Sequence, residues 1–161
     1  MFGQMIIPYI TGSKQNAAIN VAGSGERILV VEDEYMIADD LALELREASV
    51  EVIGPAASLP QAMRLIAQTE RLDAAILDIN LRETLAYPLM DQLIEAGVRV
   101  LISSGYDEAM IPERYRHLPR CEKPVSPRRL LLAIEGLWDG AGDRNRQAAG
   151  HSPTVGTAGR A

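Results

Sequence analysis

The sequence predicts an α/β domain built on a doubly wound, five-stranded parallel sheet. Two observations carry this reading. Strand and helix signals alternate across residues 26–139, the pattern of βαβ units. Chemistry-bearing residues also stand immediately after, or at the end of, four short strand-like runs: Glu32-Asp33-Glu34 at Ile28–Val31, Asp78 at Ala74–Leu77, Ser104 at Val100–Ile102, and Lys123-Pro124 at the weaker Arg120–Glu122. In open α/β sheets, ligands bind outside the carboxyl ends of the strands.

The elements follow in order. After the first strand, Ile37, Leu41, Leu45 and Ala48 recur at helical spacing and predict the buried stripe of a helix. A strand is expected at Glu51–Ala56. Ser58-Leu59-Pro60-Gln61 then has the form of a capping box, and the helix it opens carries Ala62, Leu65 and Ile66 on one face. Beyond Asp78 and a loop, Pro88 starts a helix through Leu89, Leu93 and Ile94, with Gly97 as its stop. Gly105, Pro112 and Pro119 argue against a full-length helix between Ser104 and Arg120, so one or two short turns are expected there. Ser126-Pro127 opens the last helix, with Leu130, Leu131, Ile134, Leu137 and Trp138 inward.

Outside this pattern, residues 1–25 are expected to be a flexible extension and residues 140–161, poor in apolar side chains, a disordered tail. The chain of 161 residues is the size of one domain. Its net charge of −6 gives no basic face for a nucleic-acid backbone. No apolar stretch reaches the roughly 20 residues a membrane span needs. The single Cys121 cannot form an internal disulfide, which fits a cytoplasmic location. Cys121 is read as a small buried apolar residue and Tyr115 as surface packing. Arg114, Arg116, His117, Arg120, Arg128 and Arg129 cluster in sequence, either as a solvated face or as a docking surface for an acidic partner or a second copy.

Carboxylates, a hydroxyl and an amine at one sheet edge suggest a site for a divalent cation and a phosphoryl group. An aspartate can attack a phosphoryl group as a nucleophile. The transfer needs positioning and charge neutralisation more than covalent help. A hard cation such as Mg²⁺ takes a few oxygen ligands and keeps several waters; Asp33, Asp78 and a backbone carbonyl such as that of Asn80 would suffice. Lys123 would offset charge on the equatorial oxygens, and the Ser104 hydroxyl could donate to one of them.

At Ile28–Glu34, Ile76–Asn80, Ser104-Gly105 and Lys123-Pro124 the chain resembles the receiver domains of bacterial two-component response regulators, in order and spacing over residues 27–138. The resemblance implies a sheet of order 2-1-3-4-5. It makes Asp78 the phosphoacceptor, Glu32 and Asp33 the acidic pair holding Mg²⁺ with Asp78 and the Asn80 carbonyl, Ser104 the switch hydroxyl and Lys123 the phosphate-pairing lysine. It implies a histidine kinase or histidine phosphotransfer protein as phosphodonor and a downstream protein target. A homodimer could use the face made by the fourth helix, the last strand and the last helix. Receivers usually carry Phe or Tyr three residues before the lysine, whereas Arg120 stands there. The Ser104-Gly105-Tyr106 run and the prolyl fourth-helix region instead resemble the alphaproteobacterial single-domain class nicknamed FATGUY. Tyr106 or the segment 105–119 would then carry the output change.

Two other functions fit the residues less well. An aspartyl-nucleophile phosphatase of the haloacid dehalogenase type wants a second Asp two residues after the nucleophile, where Asn80 stands. A pseudo-receiver acting only through its surface would not need the acidic pair, Asp78, Ser104 and Lys123. The leading expectation is a stand-alone receiver that signals by protein contact, with slow self-hydrolysis of its phosphoryl group and no turnover of a substrate.

Overall fold

Residues 25–105 and 107–149 are described by a computed structural model, with side chains as far as Asp139. The expectations for residues 1–24, Tyr106 and residues 150–161 fall outside the described residues.

Five parallel strands form the sheet: β1 (Arg27–Val31), β2 (Glu51–Ala56), β3 (Ala74–Asp78), β6 (Arg99–Ser104) and β7 (Arg120–Glu122). Their order, β2-β1-β3-β6-β7, is the expected 2-1-3-4-5. A small antiparallel pair, β4 (Asn80–Leu81) and β5 (Thr84–Leu85), is inserted after β3. The α-helices are α1 (Tyr35–Glu47), α2 (Leu59–Ala67), α3 (Tyr87–Glu95) and α4 (Pro127–Ala149). The last of these runs past residue 139, where the sequence reading ended the domain.

Alternation along the strands sorts the core into two layers, because successive side chains point to opposite faces. Leu29, Val31, Ala75, Leu77 and Ile102 pack with α2, α3 and the segment after β6. Ile28, Val30, Ile76 and Leu101 pack on the other face with Leu41 and Leu45 of α1 and Leu130, Ile134 and Leu137 of α4. The central strands are buried on both faces, as parallel sheets require. Each fully buried Leu or Ile contributes about 1.5–3 kcal/mol.

Several local devices aim the sheet edge. β1 and β2 run in register from Arg27↔Glu51 to Leu29↔Ile53, then shift so that Val31 pairs with Ala56. Gly54 absorbs the shift at φ +100°, and a Cβ there would stand 2.9 Å from Ala56 N and 3.0 Å from Val30 O. The shift brings the Ala56 carbonyl to accept from the Glu32 N–H at 2.9 Å. Ser58 caps α2, its Oγ accepting from Gln61 N, while Gln61 Oε1 accepts from Ala57 N at 2.9 Å. Ser126 Oγ accepts from Arg129 N at the start of α4.

The segment after β6 forms two 3₁₀ turns, Glu108–Met110 and Glu113–Tyr115, in place of a helix. Tyr115 corrects the sequence reading: it is buried, not surface packing. Its ring stacks on Tyr87 at 5.0 Å between centroids, and its hydroxyl donates to Asp91 Oδ1 at 2.6 Å. With two prolines and no buried stripe of helical spacing, the segment is held on this face of the sheet by Tyr115 and the equally buried Ile111. Trp138 is half-buried, with the Arg99 guanidinium 5.2 Å above its ring.

Candidate functional site

The carboxyl ends of β1, β3, β6 and β7 converge, and each delivers one of the residues singled out by sequence. β1 ends at Val31, and Glu32 and Asp33 follow before α1 begins. Asp78 is the last residue of β3, Ser104 the last of β6, and Lys123 follows β7 directly. The Lys123 N–H donates to the Ser104 carbonyl at 3.1 Å, tying the last two pieces together.

Lys123 is the centre of the arrangement. Its Nζ lies 2.7 Å from Asp78 Oδ2 and 2.7 Å from Glu32 Oε2, with Glu34 Oε1 at 3.8 Å. The Glu32 side chain is 1 % exposed and that of Lys123 13 %, so charge is held here largely away from water. Burial pushes the Glu32 carboxyl above its ordinary value, against the opposing pull of Lys123 and the Glu34 N–H. Burial alone would lower the Lys123 ammonium. Its hydrogen bonds to Asp78 and Glu32, and their charges, outweigh that and hold it above its ordinary value. The backbone helps to fix both carboxylates: Glu34 N donates to Glu32 Oε1 at 3.0 Å and Asn80 N to Asp78 Oδ1 at 3.0 Å.

Oxygens of Glu32, Asp33 and Asp78 lie within 4.8 Å of one another. Three hard oxygen donors so close, two of them buried, suit a divalent cation that keeps several waters. Asp33 and Asp78 open on a pocket of about 500 Å³ whose lining also includes Asn80, Ser104 and Lys123. Of these lining residues, Asp78 and Ser104 are buried.

Two features were not legible beforehand. β4 and β5 make a tight hairpin in what reads as a plain loop, and its turn residue Arg82 lines the same pocket. Its Nε stands 3.9 Å from Asp33 Oδ2. Arg120, where receivers usually carry an aromatic, forms an ion pair with Glu108 of the first 3₁₀ turn. Cys121 is buried as expected, and burial raises its thiol. Of the basic cluster, Arg114 pairs with Asp91 and donates to the Tyr115 hydroxyl, and Arg116 Nε donates to the Ile111 carbonyl.

No protein-family profile matches the sequence, and no curated protein does. Solved structures do. The response regulator PhyR from Brucella abortus superposes with a TM-score of 0.66 at 19 % identity; 86 % of this chain is covered, and the chain spans 58 % of PhyR. SdrG from Sphingomonas melonis Fr1 matches at 0.64 and 26 % identity, over 72 % of this chain and 98 % of its own. A CheY-like response regulator receiver domain protein from Methanospirillum hungatei JF-1 matches at 0.64 and 26 % identity, over 75 % and 99 %. The strand order and these likenesses define the class: the chain has the fold of a response-regulator receiver domain. The fold likeness extends to PhyR and to SdrG.

Proposed function

We propose that this chain is a receiver that accepts a phosphoryl group on Asp78. The observation that carries the reading is Lys123 seated 2.7 Å from both Asp78 and Glu32 at the mouth of the acidic pocket. That places a fixed positive charge beside the nucleophile, where phosphoryl oxygens would arrive.

An Asp78 carboxylate oxygen attacks phosphorus of a phosphoimidazole, or of a small acyl phosphate. The new P–O bond forms as the P–N or leaving P–O bond breaks. The electron pair returns to the imidazole nitrogen, which takes up a proton, or to the departing carboxylate. Lys123 neutralises charge on the transferring oxygens and the Ser104 hydroxyl donates to one of them. Glu32, Asp33, Asp78 and the Asn80 carbonyl would hold Mg²⁺, which when bound supplies further neutralisation of the phosphoryl charge. Water attack on the acyl phosphate later returns the carboxylate and inorganic phosphate, a reset of a switch with no substrate turned over.

The phosphodonor in this reading is a histidine kinase or histidine phosphotransfer protein in the cytoplasm, and the output is a contact with another protein. No helix among the described residues is long and apolar enough to cross a membrane. The test is intact mass after incubation with acetyl phosphate and Mg²⁺, beside Asp78→Asn and a chelator control. A gain of one phosphoryl group that needs Mg²⁺ and is absent from the variant supports the reading. If neither that gain nor binding of beryllofluoride is seen, the chain is a pseudo-receiver.

A further inference from the structure

We propose that Arg82 is an internal counter-cation that competes with the divalent cation for Asp33, and so sets how much cation the pocket needs. This rests on reading Glu32, Asp33 and Asp78 as a cation site.

The three carboxylates are not balanced alike. Lys123 matches Glu32 and Asp78 at 2.7 Å each, whereas the ion pair Asp33 makes among the described residues is with Arg82, at 3.9 Å. Arg82 comes from the other side of the pocket, on the turn of the β4–β5 hairpin.

That position is built into the backbone. Arg82 and Glu83 are the two turn residues between Leu81 and Thr84, at φ +48° and +68°. Two-residue hairpin turns of this kind favour Asn and Gly, and longer side chains at these positive φ values are strained. The hairpin is anchored at its base, where Asn80 N donates to Asp78 Oδ1 and Ala86 N to the Ile79 carbonyl at 2.8 Å. A long cationic side chain is therefore held, in a strained turn, beside the acidic pocket.

Exposure separates the two positive groups. The Lys123 side chain is 13 % exposed and clamped by two carboxylates, so it is a fixed charge. The Arg82 side chain is 76 % exposed over an Asp33 that is 16 % exposed. Its guanidinium can swing into water at little packing cost. A doubly charged ion arriving at Asp33 meets one neighbouring positive charge it can displace and one it cannot. Arg82 thus weakens cation binding by direct repulsion and by prior occupation of Asp33, and the fold pairs a permanent ammonium with a removable guanidinium.

The experiment is Mn²⁺ binding to the full chain, read from the electron paramagnetic resonance of free Mn²⁺ at fixed ionic strength. It compares wild type, Arg82→Gln, Arg82→Lys and Asp33→Asn, and needs no phosphoryl transfer. Arg82→Gln is expected to bind roughly three- to tenfold more tightly, the size of one screened charge at such separation. Arg82→Lys, which keeps the charge, should stay near wild type. An unchanged or weaker affinity in Arg82→Gln, with binding still lost in Asp33→Asn, overturns the role of Arg82 and leaves the cation site standing. Binding that Asp33→Asn does not weaken, or no binding in any variant, overturns the cation-site reading and this proposal with it.

Discussion

The Lys123 ammonium lies 2.7 Å from Asp78 Oδ2 although the two residues are 45 positions apart in sequence. The contact joins the end of β3 to the residue after β7, strands separated in the sheet by β6. The Lys123 N–H also donates to the Ser104 carbonyl at 3.1 Å, which fixes the lysine backbone at the end of β6.

Removing that ammonium leaves Glu32 and Asp78 facing one another in a largely dry site. Lys123→Met is expected to destabilise the fold by about 2 kcal/mol or more. Mg²⁺ should then stabilise the variant more than wild type, because the ion takes over the neutralising role. Urea denaturation with Mg²⁺ and with a chelator measures both effects. The sign with pH follows from the raised Lys123 value: with its carboxylate partners ionised, the ammonium's contribution is intact up to the ordinary 10.5 and is lost as pH climbs above it.

Tyr115 holds the segment after β6 onto α3 through its ring and its bond to Asp91. Tyr115→Phe keeps the stack and loses the hydrogen bond, which should cost about 1 kcal/mol in thermal denaturation. Burial, with the hydroxyl donating to Asp91, raises the phenol above its ordinary 10.0. The folded state therefore keeps this proton more firmly than the unfolded chain. The stability gap between wild type and Tyr115→Phe is expected to be flat through neutral pH and to shrink as pH rises past 10.0.

Gly54→Ala should be among the most damaging single-methyl additions in the chain. The new Cβ would meet backbone atoms of Ala56 and Val30 at 2.9 and 3.0 Å, and the residue sits at φ +100°. A loss of about 2 kcal/mol or more is expected. The shift in β2 also presents the Ala56 carbonyl to Glu32 N, so cation affinity should fall with stability. A variant as stable as wild type in urea would contradict this account of the register shift.

Arg120 and Glu108 tie β7 to the first 3₁₀ turn. The pair is part-exposed, so a double-mutant cycle of Arg120→Ala and Glu108→Ala should return a coupling of about 1 kcal/mol or less. Its consequence is local. Amides of Met110 and Ile111, which bond to Asp107 and Glu108 carbonyls, should exchange faster in Arg120→Ala while the β1 and β3 amides keep their protection.

Much of this protein is legible in one dimension. Ile28–Val31 and Ala74–Leu77 are unbroken apolar runs because both faces of a central parallel strand are covered, and that alone predicts the sheet and which edge bears the polar residues. The stripe at Ile37, Leu41 and Leu45, the Ser58 cap, and the short turns that replace a helix around Pro112 follow from local periodicity and from proline's missing N–H. Glu32, Asp33, Asp78, Ser104 and Lys123 could be named because each directly follows or ends a strand signal.

What only the tertiary structure decided depends on contacts between distant segments. Tyr115 sits among polar and prolyl neighbours, and its burial exists because Tyr87 and Asp91 of α3 are opposite it. The β4–β5 hairpin has no Asn-Gly turn to announce it, so Arg82 acquires its place beside Asp33 only when β3 and β1 are paired. Arg120 could be singled out in sequence as a replacement for an aromatic, but its partner Glu108 is identified only by the fold. Strand and helix are set by the spacing of apolar side chains along the chain, whereas the partner of a charge is set by which strand ends the sheet brings together.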